Sequence, residues 1–349
     1  MAVWVVRAGR YGENEDYALE TGLVGVGWNT GKALTDYVDL GSLSADVAAQ
    51  WPDASPRSVS LWAGQLWAIR ERIAVGDLVV LPLKHDASVA VGRIAGSYTY
   101  VPEAPDGKQH QRAVEWIDKS IPRTRFGQDL LYSFGSLLAC FQVRRNDAEA
   151  RIIAIASGQE DPGPKAPDAS KASQSPPSAQ VEAVEDDATA PNLRQLALDT
   201  IRRAIGERFH GHELAFLVSE ILRAQGYKVH LAPPGKDGGI DLLAGRGALG
   251  FDEPRIGVQV KSGLQVADVR VVRELKGALP NFGASFGLVV SWGGFTADAK
   301  AEARSNFFTL RLWDSDDVIR ELQSVYERID ERVQTDLPLE RLWILSEEG

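Results

Sequence analysis

Short apolar runs, many of them β-branched, recur through the first 155 positions and are bounded by Gly, Pro, Asn or Asp. The runs at 3–7, 23–28, 77–83, 89–94, 113–117 and 138–143 predict strands. One stretch has a different period. Val59, Trp62, Leu66, Ile69 and Ile73 recur at steps of three and four, which predicts a helix over 58–74 with Ser58 as its cap and Gly76-Asp77 as its stop. Strands with one helix predict a small β-rich barrel. Residues 156–191 lose the pattern: Pro, Ala, Ser, Asp and Glu dominate and no aromatic residue occurs. Such a segment buries too little apolar surface to offset its ordering entropy and reads as a disordered linker, a spacer or a source of reach.

The pattern returns at 192. A lead-in helix over 192–207 precedes a stronger one over 211–225, where Leu214, Leu217, Val218, Ile221 and Leu222 form one stripe. Strands at 228–231, 240–244, 256–261, 286–292 and 308–313 then alternate with helices at 266–279, 296–305 and 315–329. This predicts an α/β domain over 192–330, a central mixed sheet flanked by helices. A tail over 331–349 contains Leu337, Leu339, Leu342, Trp343 and Leu345, apolar enough to dock as an edge strand.

Charge changes this picture little. The net charge of the 349 residues is −10. Residues 156–191 carry 2 basic and 7 acidic side chains, so half the excess lies in the linker and the flanking parts are nearly balanced. A nucleic-acid partner stays open, with salt-sensitive affinity. The single cysteine, Cys140, excludes an intramolecular disulfide and a multi-cysteine zinc site, and fits a reducing cytosol. No signal-peptide pattern opens the sequence and no apolar run is long enough to span a membrane, so a cytoplasmic protein is expected.

The candidate chemistry gathers around Gly235-Lys236-Asp237-Gly238-Gly239-Ile240-Asp241 and Val258-Gln259-Val260-Lys261. On a strand, Gln259 and Lys261 share one face while Val258 and Val260 point into a core. Asp241 would arrive from the preceding strand and Glu213 from the first turn of a helix, where a carboxylate also suits the helix dipole. One carboxylate, an amide oxygen, a lysine and a further acid match the needs of phosphodiester hydrolysis. A hard cation takes oxygen ligands, and a lysine holds the attacking water and offsets negative charge. Asp241, Gln259 and Glu213 are the metal-ligand candidates. Lys236 and Ser262 are phosphate candidates, and Asp237 reads as a turn residue. The ordinary alternatives are a strand-end Asp241, a surface Lys261, a structural Gln259 amide and a helix-start Glu213. His210, His212 and His230 lack zinc-ligand spacing, and Gly235-Lys236 lacks the glycines of a P-loop.

These motifs closely resemble the Mrr-like branch of the PD-(D/E)XK restriction endonuclease superfamily over 207–318. The resemblance takes in Gly226-Tyr227-Lys228-Val229, Val272-Arg273-Glu274-Leu275-Lys276-Gly277-Ala278-Leu279 and Gly293-Gly294-Phe295-Thr296. It implies a restriction-endonuclease-like core with Asp241, Gln259 and Lys261 at the active site, Glu213 in support, and Mg²⁺ (or Mn²⁺) as cofactor. His212 stands where the family carries an apolar aromatic residue. In the first part, Trp4-Val5-Val6-Arg7-Ala8-Gly9, Val75-Gly76-Asp77-Leu78-Val79-Val80-Leu81 and Val89-Ala90-Val91-Gly92-Arg93-Ile94 resemble the PUA superfamily and its EVE-type members. That resemblance implies a reader of modified bases over 1–155.

A flipped base needs flat stacking partners. Six of the nine tryptophans lie in 1–155. Trp4, Trp62 and Trp116 sit on apolar faces and read as core. Trp28, Trp67, Tyr98 and Tyr100 are the pocket candidates, and Arg93, His110 and Arg112 are side chains that could reach phosphates. Tyr11-Gly12-Glu13-Asn14-Glu15-Asp16 reads as an ordinary acidic surface loop, with a base-edge or metal contact as the alternative. The combined expectation is a metal-dependent DNA endonuclease, a modification-dependent restriction enzyme acting on double-stranded DNA as a homodimer, since cutting both strands needs two centres. A ligand-activated sensor-effector nuclease and a non-catalytic RNA- or DNA-binding protein are the alternatives.

Overall fold

The computed structural model describes residues 1–105, 107–164, 192–235 and 239–343. The chain divides into two compact units, Met1–Ala197 and Leu198–Gly349.

The first unit is built on strands β1 (Val3–Val6), β2 (Leu23–Val26), β3 (Leu78–Pro82), β4 (Ser88–Ile94), β5 (Thr99–Tyr100), β6 (His110–Pro122) and β7 (Cys140–Val143). They run in the order β2-β6-β4-β3-β1-β7, with β5 added on β6, a curled half-barrel whose path does not close. The β1–β3 pair is parallel and the remaining pairs are antiparallel. Both faces are apolar. Trp4, Val6, Val79 and Leu81 enter one core, and Val3, Val5, Leu78 and Val80 enter another. Two-sided burial explains why these strands read as continuous apolar runs rather than alternating ones.

Helices cover both faces, where the sequence predicted one helix. Helix α1 (Glu15–Thr21) lies outside the sheet ladder. Helices α2 (Leu40–Gln50) and α3 (Pro56–Trp67) supply Leu43, Val47, Val59 and Leu66 to the first core. Helices α4 (Gln128–Ser133) and α5 (Ala148–Ala156) supply Leu130, Ile152 and Ile155 to the second. Helix α2 buries only Leu43 and Val47, too few for a legible period, and relies on a capping box between Asp39 and Ser42. Helix α3 starts at Pro56 with Ser55 as its cap and runs into a π-turn at Ala68–Arg72. The first unit also extends past the expected linker start at 156. Buried Arg151 donates to both oxygens of Asp161 at 2.7 Å, and Gly127 N–H donates to the same carboxylate. The rest of the expected linker, 165–191, lies outside the described residues.

The second unit follows the expected order closely. Helices α6 (Leu193–Arg208, which carries the unit boundary) and α7 (His212–Ala224) precede β8 (Lys228–Leu231), β9 (Leu242–Arg246) and β10 (Asp252–Lys261). Then come α8 (Val269–Ala278), β11 (Phe286–Ser291), α9 (Ala297–Ser305), β12 (Leu310–Trp313), α10 (Ser315–Val325) and α11 (Glu331–Asp336). The sheet order is β12-β11-β10-β9-β8, parallel from β10 to β12 and antiparallel from β8 to β10. Helices α7 and α10 pack Leu217, Ile221, Ile319 and Leu322 on one face with Val258 and Val290. Helices α8 and α9 pack Val272, Leu275 and Ala299 on the other with Ile240 and Val289. The tail docks through Leu337, whose carbonyl accepts from Tyr326 Oη at 2.7 Å. It adds no strand among the described residues, and Trp343 is 97% exposed, so the expected edge strand is corrected.

Candidate active site

The centre is built on the end of β10. Asp241 stands immediately before β9 and is tied to β10 twice. Its N–H donates to Val258 O at 2.8 Å, and its Oδ2 accepts from Val260 N–H at 2.6 Å. Val260 lies between Gln259 and Lys261, so the contact sets the Asp241 carboxylate beside both. The expected i, i+2 geometry holds: Val258 and Val260 belong to the α7/α10 core, and Gln259 lies on the opposite face in register with Val289. Gly257 clears that face, since a Cβ there would come within 2.6 Å of Leu279 Cδ2. Lys261 is exposed, with its carbonyl accepting from Trp292 N–H at 2.8 Å.

Gln259 is 6% exposed, and its Oε1 has no hydrogen-bond partner among the described residues. A buried oxygen left this way costs about 1–3 kcal/mol. A hard cation beside Asp241 would satisfy it, so the donor set fits a divalent metal that takes oxygen ligands. No group of three or more His, Cys, Asp or Glu gathers for a metal among the described residues. The protein ligands would therefore be few, with water and phosphate oxygens completing the shell.

Glu213 lies in the first turn of α7. The start of this helix is pinned to the end of β10 by Gly211 N–H donating to Ser262 Oγ at 3.0 Å. Ser262, read as a phosphate candidate, thus serves as the tie that brings Glu213 to the Lys261 end of the strand. Glu213 Oε2 accepts from Arg332 Nη2 at 2.7 Å, and the Arg332 guanidinium lies 4.5 Å from the Phe216 ring centre. Sequence reading missed Arg332, which is 119 positions away and part of no local pattern. Lys236 and Asp237 lie outside the described residues.

In the first unit the reader candidates fall into three groups. Trp28 stacks on Trp62 with centroids 6.0 Å apart, and Trp51 meets Trp62 edge-on at 5.9 Å. All three are partly buried against the α2/α3 core, so Trp62 and Trp51 join Trp28 in a cluster that sequence reading did not assemble. Trp67 instead carries the Arg70 guanidinium 4.7 Å from its ring centre. Tyr98 and Tyr100 stack on His110 at 6.0 and 5.1 Å.

His110 is fully buried. Tyr98 Oη accepts from Leu34 N–H at 2.9 Å and lies 2.7 Å from His110 Nδ1, while Thr30 Oγ1 lies 3.3 Å from Nε2. Burial pulls the His110 pKa down to about 4, so the ring is neutral near pH 7. It is structural and does not reach a phosphate. Arg112 is corrected in the same way. It is 4% exposed and donates to the carbonyls of Ile69, Arg70, Ile73 and Gly96, closing the end of the π-turn. Arg93 donates to Gly76 O at 3.4 Å. The acidic loop is also corrected in part. Glu15 opens α1, is 4% exposed, and accepts from the Lys84 and His85 N–H groups at 2.6 and 3.3 Å. Burial raises its pKa against the pull of those bonds.

A helix that carries an acid, a strand-end aspartate and a Gln-x-Lys strand on a mixed sheet define a restriction-endonuclease-like nuclease core. Residues 207–322 match the family model described as restriction endonuclease (Mrr catalytic), and this part of the chain is an Mrr-type restriction endonuclease domain. Residues 4–128 match a model described as a domain of unknown function. Similar solved structures include the DNA modification-dependent restriction endonuclease AspBHI, at 15% identity over 96% of this chain and 84% of that one, with a TM-score of 0.33. MspJI restriction endonuclease, in complex with a 27-mer oligonucleotide, is similar at 15% identity over 96% and 79%, with a TM-score of 0.29. A protein of unknown function, AF1548, is similar at 14% identity over 39% and 74%, with a TM-score of 0.24. No curated protein matches the sequence. Among the described residues no helix is long and apolar enough to cross a membrane.

Proposed function

We propose that the chain is a metal-dependent DNA endonuclease in which the first unit reads a modified base and the second cuts. The observation that carries the nuclease reading is Asp241 fixed on Val260 N–H beside a buried Gln259 oxygen that lacks a partner. A divalent cation there would supply charge stabilisation at the phosphodiester and a more acidic water. Asp241 and Gln259 would hold it. Lys261, exposed at the strand end, orients the attacking water and offsets negative charge on the phosphoryl oxygens. Glu213 steers from the helix. Lys236 is carried over from the sequence as a candidate contact to a DNA phosphate.

The partly buried Trp28–Trp62–Trp51 cluster supports base stacking by the first unit. Double-strand cleavage then calls for two chains on one duplex. The test is incubation of the full chain with unmodified, methylated and hydroxymethylated duplexes, with and without Mg²⁺. Cleavage limited to a modified duplex and lost without metal is expected. Equal cleavage of all duplexes refutes modification dependence, and no cleavage with Mg²⁺ or Mn²⁺ refutes the nuclease.

A further inference from the structure

A cleft opens in the first unit between α3, the π-turn that follows it and the edge strand β7. Helix α3 lines it with Leu61 and Gln65, and β7 lines it with Cys140 and Gln142. Arg72 and Arg144, both exposed, line it too. Its volume is about 50 Å³. An enclosed water needs about 10–15 Å³, so the cleft has room for about three or four waters, or for the oxygens of one phosphate group, and too little for a base. No Asp or Glu lines it. Glu71, beside Arg72 in the chain, pairs with Arg70 at 2.8 Å. Two guanidiniums at one small cleft without a carboxylate focus positive potential there.

The cleft is held in shape by Gln65. Its Oε1 accepts from the Ala139 and Cys140 N–H groups at 2.7 and 3.0 Å, and its Nε2 donates to Leu61 O at 3.0 Å. Arg7 N–H donates to Ala139 O across the β1–β7 pair. In an antiparallel ladder bonded pairs alternate with unbonded ones, so the Cys140 and Gln142 N–H groups turn away from β1. Arg144 Nε donates to Gln142 Oε1 at 3.0 Å, which ties that guanidinium to the wall and leaves its Nη groups for a ligand. We propose that this cleft binds a phosphate group, with the Arg72 and Arg144 guanidiniums and the Gln142 N–H as donors. A planar guanidinium presents paired donors that match phosphate oxygens. The expected source is the DNA backbone. Trp62 of the aromatic cluster follows Leu61 on α3, about 100° round the helix, so a strand whose base stacks on that cluster passes the cleft. That source rests on the reader proposed for the first unit. A free nucleotide carries the same group, and the test separates the two.

The test is fluorescence anisotropy of the full chain on a labelled unmodified duplex across a salt series, without divalent metal. Calorimetric titration with ATP, a free phosphate ester, runs beside it. Arg144→Ala is expected to weaken duplex affinity about three- to tenfold at low salt. Arg144→Lys keeps the charge and controls for folding, and is expected within about threefold of wild type. Each neutralised phosphate contributes about 0.9 to the slope of log affinity against log salt. Arg72→Ala combined with Arg144→Ala is expected to lower that slope by about 0.9, because both side chains serve one phosphate. A fall of about 1.8 would mean two separate surface contacts and overturns the cleft. Unchanged duplex binding with lost ATP binding keeps the site and assigns it to a free nucleotide. A double variant that matches wild type with both probes overturns this inference alone, since the wild-type chain still holds its duplex. A wild-type chain that binds neither probe overturns the cleft and the reader together.

Discussion

Replacing Asp241 in two ways separates its structural work from its chemical work. Its Oδ2 accepts the part-buried Val260 N–H at 2.6 Å. A hydrogen bond to a charged group contributes about 1.5–3 kcal/mol, and a buried donor left without a partner costs about 1–3 kcal/mol. Asp241→Ala removes the acceptor and should destabilise the second unit by about 2 kcal/mol. For a unit of this size that lowers the melting temperature by about 4–8 °C. Asp241→Asn keeps an acceptor for Val260 and gives up only the charge, so its cost should stay under about 1 kcal/mol. Both variants lose the proposed cation ligand. If the ligand supplies about 3 kcal/mol of transition-state stabilisation, cleavage falls at least about 100-fold in each. Scanning calorimetry gives the first pair of numbers, and nicking of supercoiled plasmid in Mg²⁺ gives the second. Asp241→Asn that cuts at the wild-type rate would refute the site. Asp241→Ala that melts with wild type would refute the contact to Val260.

Three further outcomes follow from the same structure. His110 is buried neutral with its pKa lowered to about 4, against about 6.5 when unfolded. Its contribution is therefore fully present above about pH 6.5 and is lost as pH falls toward 4, amounting to about 2–3 kcal/mol; tryptophan fluorescence melts at pH 7 and pH 5 should separate, and coincident curves would count against a buried neutral ring. Buried Arg151 bridges Asp129 and Asp161, so Arg151→Ala should cost about 3–5 kcal/mol by denaturant titration of the first unit. Hydrogen bonding from Arg151 lowers the Asp129 pKa; at Asp161 burial pushes the pKa up, and Arg151 together with the Gly163 and Gly127 N–H groups brings it below the usual value. That stability is present above about pH 4 and is lost as pH falls through the depressed values, which an acid titration of wild type beside Arg151→Ala checks. Lys261→Ala should lose cleavage with an unchanged melting temperature because the side chain is exposed; a melting shift beyond about 1 kcal/mol would show that the lysine also packs.

Much of the second unit was legible because its elements carry their own period. The stripe Leu214, Leu217, Val218, Ile221 and Leu222 makes α7 from local spacing alone, and all five residues are buried. The alternation around Gln259 fixes which face it takes once 256–261 is a strand. The first unit was harder to read for a physical reason. Its central strands β1, β3 and β4 are buried on both faces, so they carry no in–out alternation to tell a barrel from a covered sheet. Helix α2 leans on a capping box and two buried residues, and α5 is only nine residues long. Glu15 looked like one of several loop acids until α1 turned it toward the Lys84 and His85 amides.

The sequence by itself determined which residue types stand at the candidate centre, the i, i+2 pairing of Gln259 with Lys261, and the order of strands and helices that carries them. These follow from backbone periodicity, which acts over a few residues. Tertiary structure alone decided that Asp241 would rest on Val260 N–H, that Ser291 would lie in register with Lys261, and that Arg332 would meet Glu213. It also gathered Trp28, Trp51 and Trp62 and turned Arg112 onto four carbonyls rather than outward. Each of these depends on strand register or on packing between segments far apart in the chain, and no local pattern of side chains specifies either.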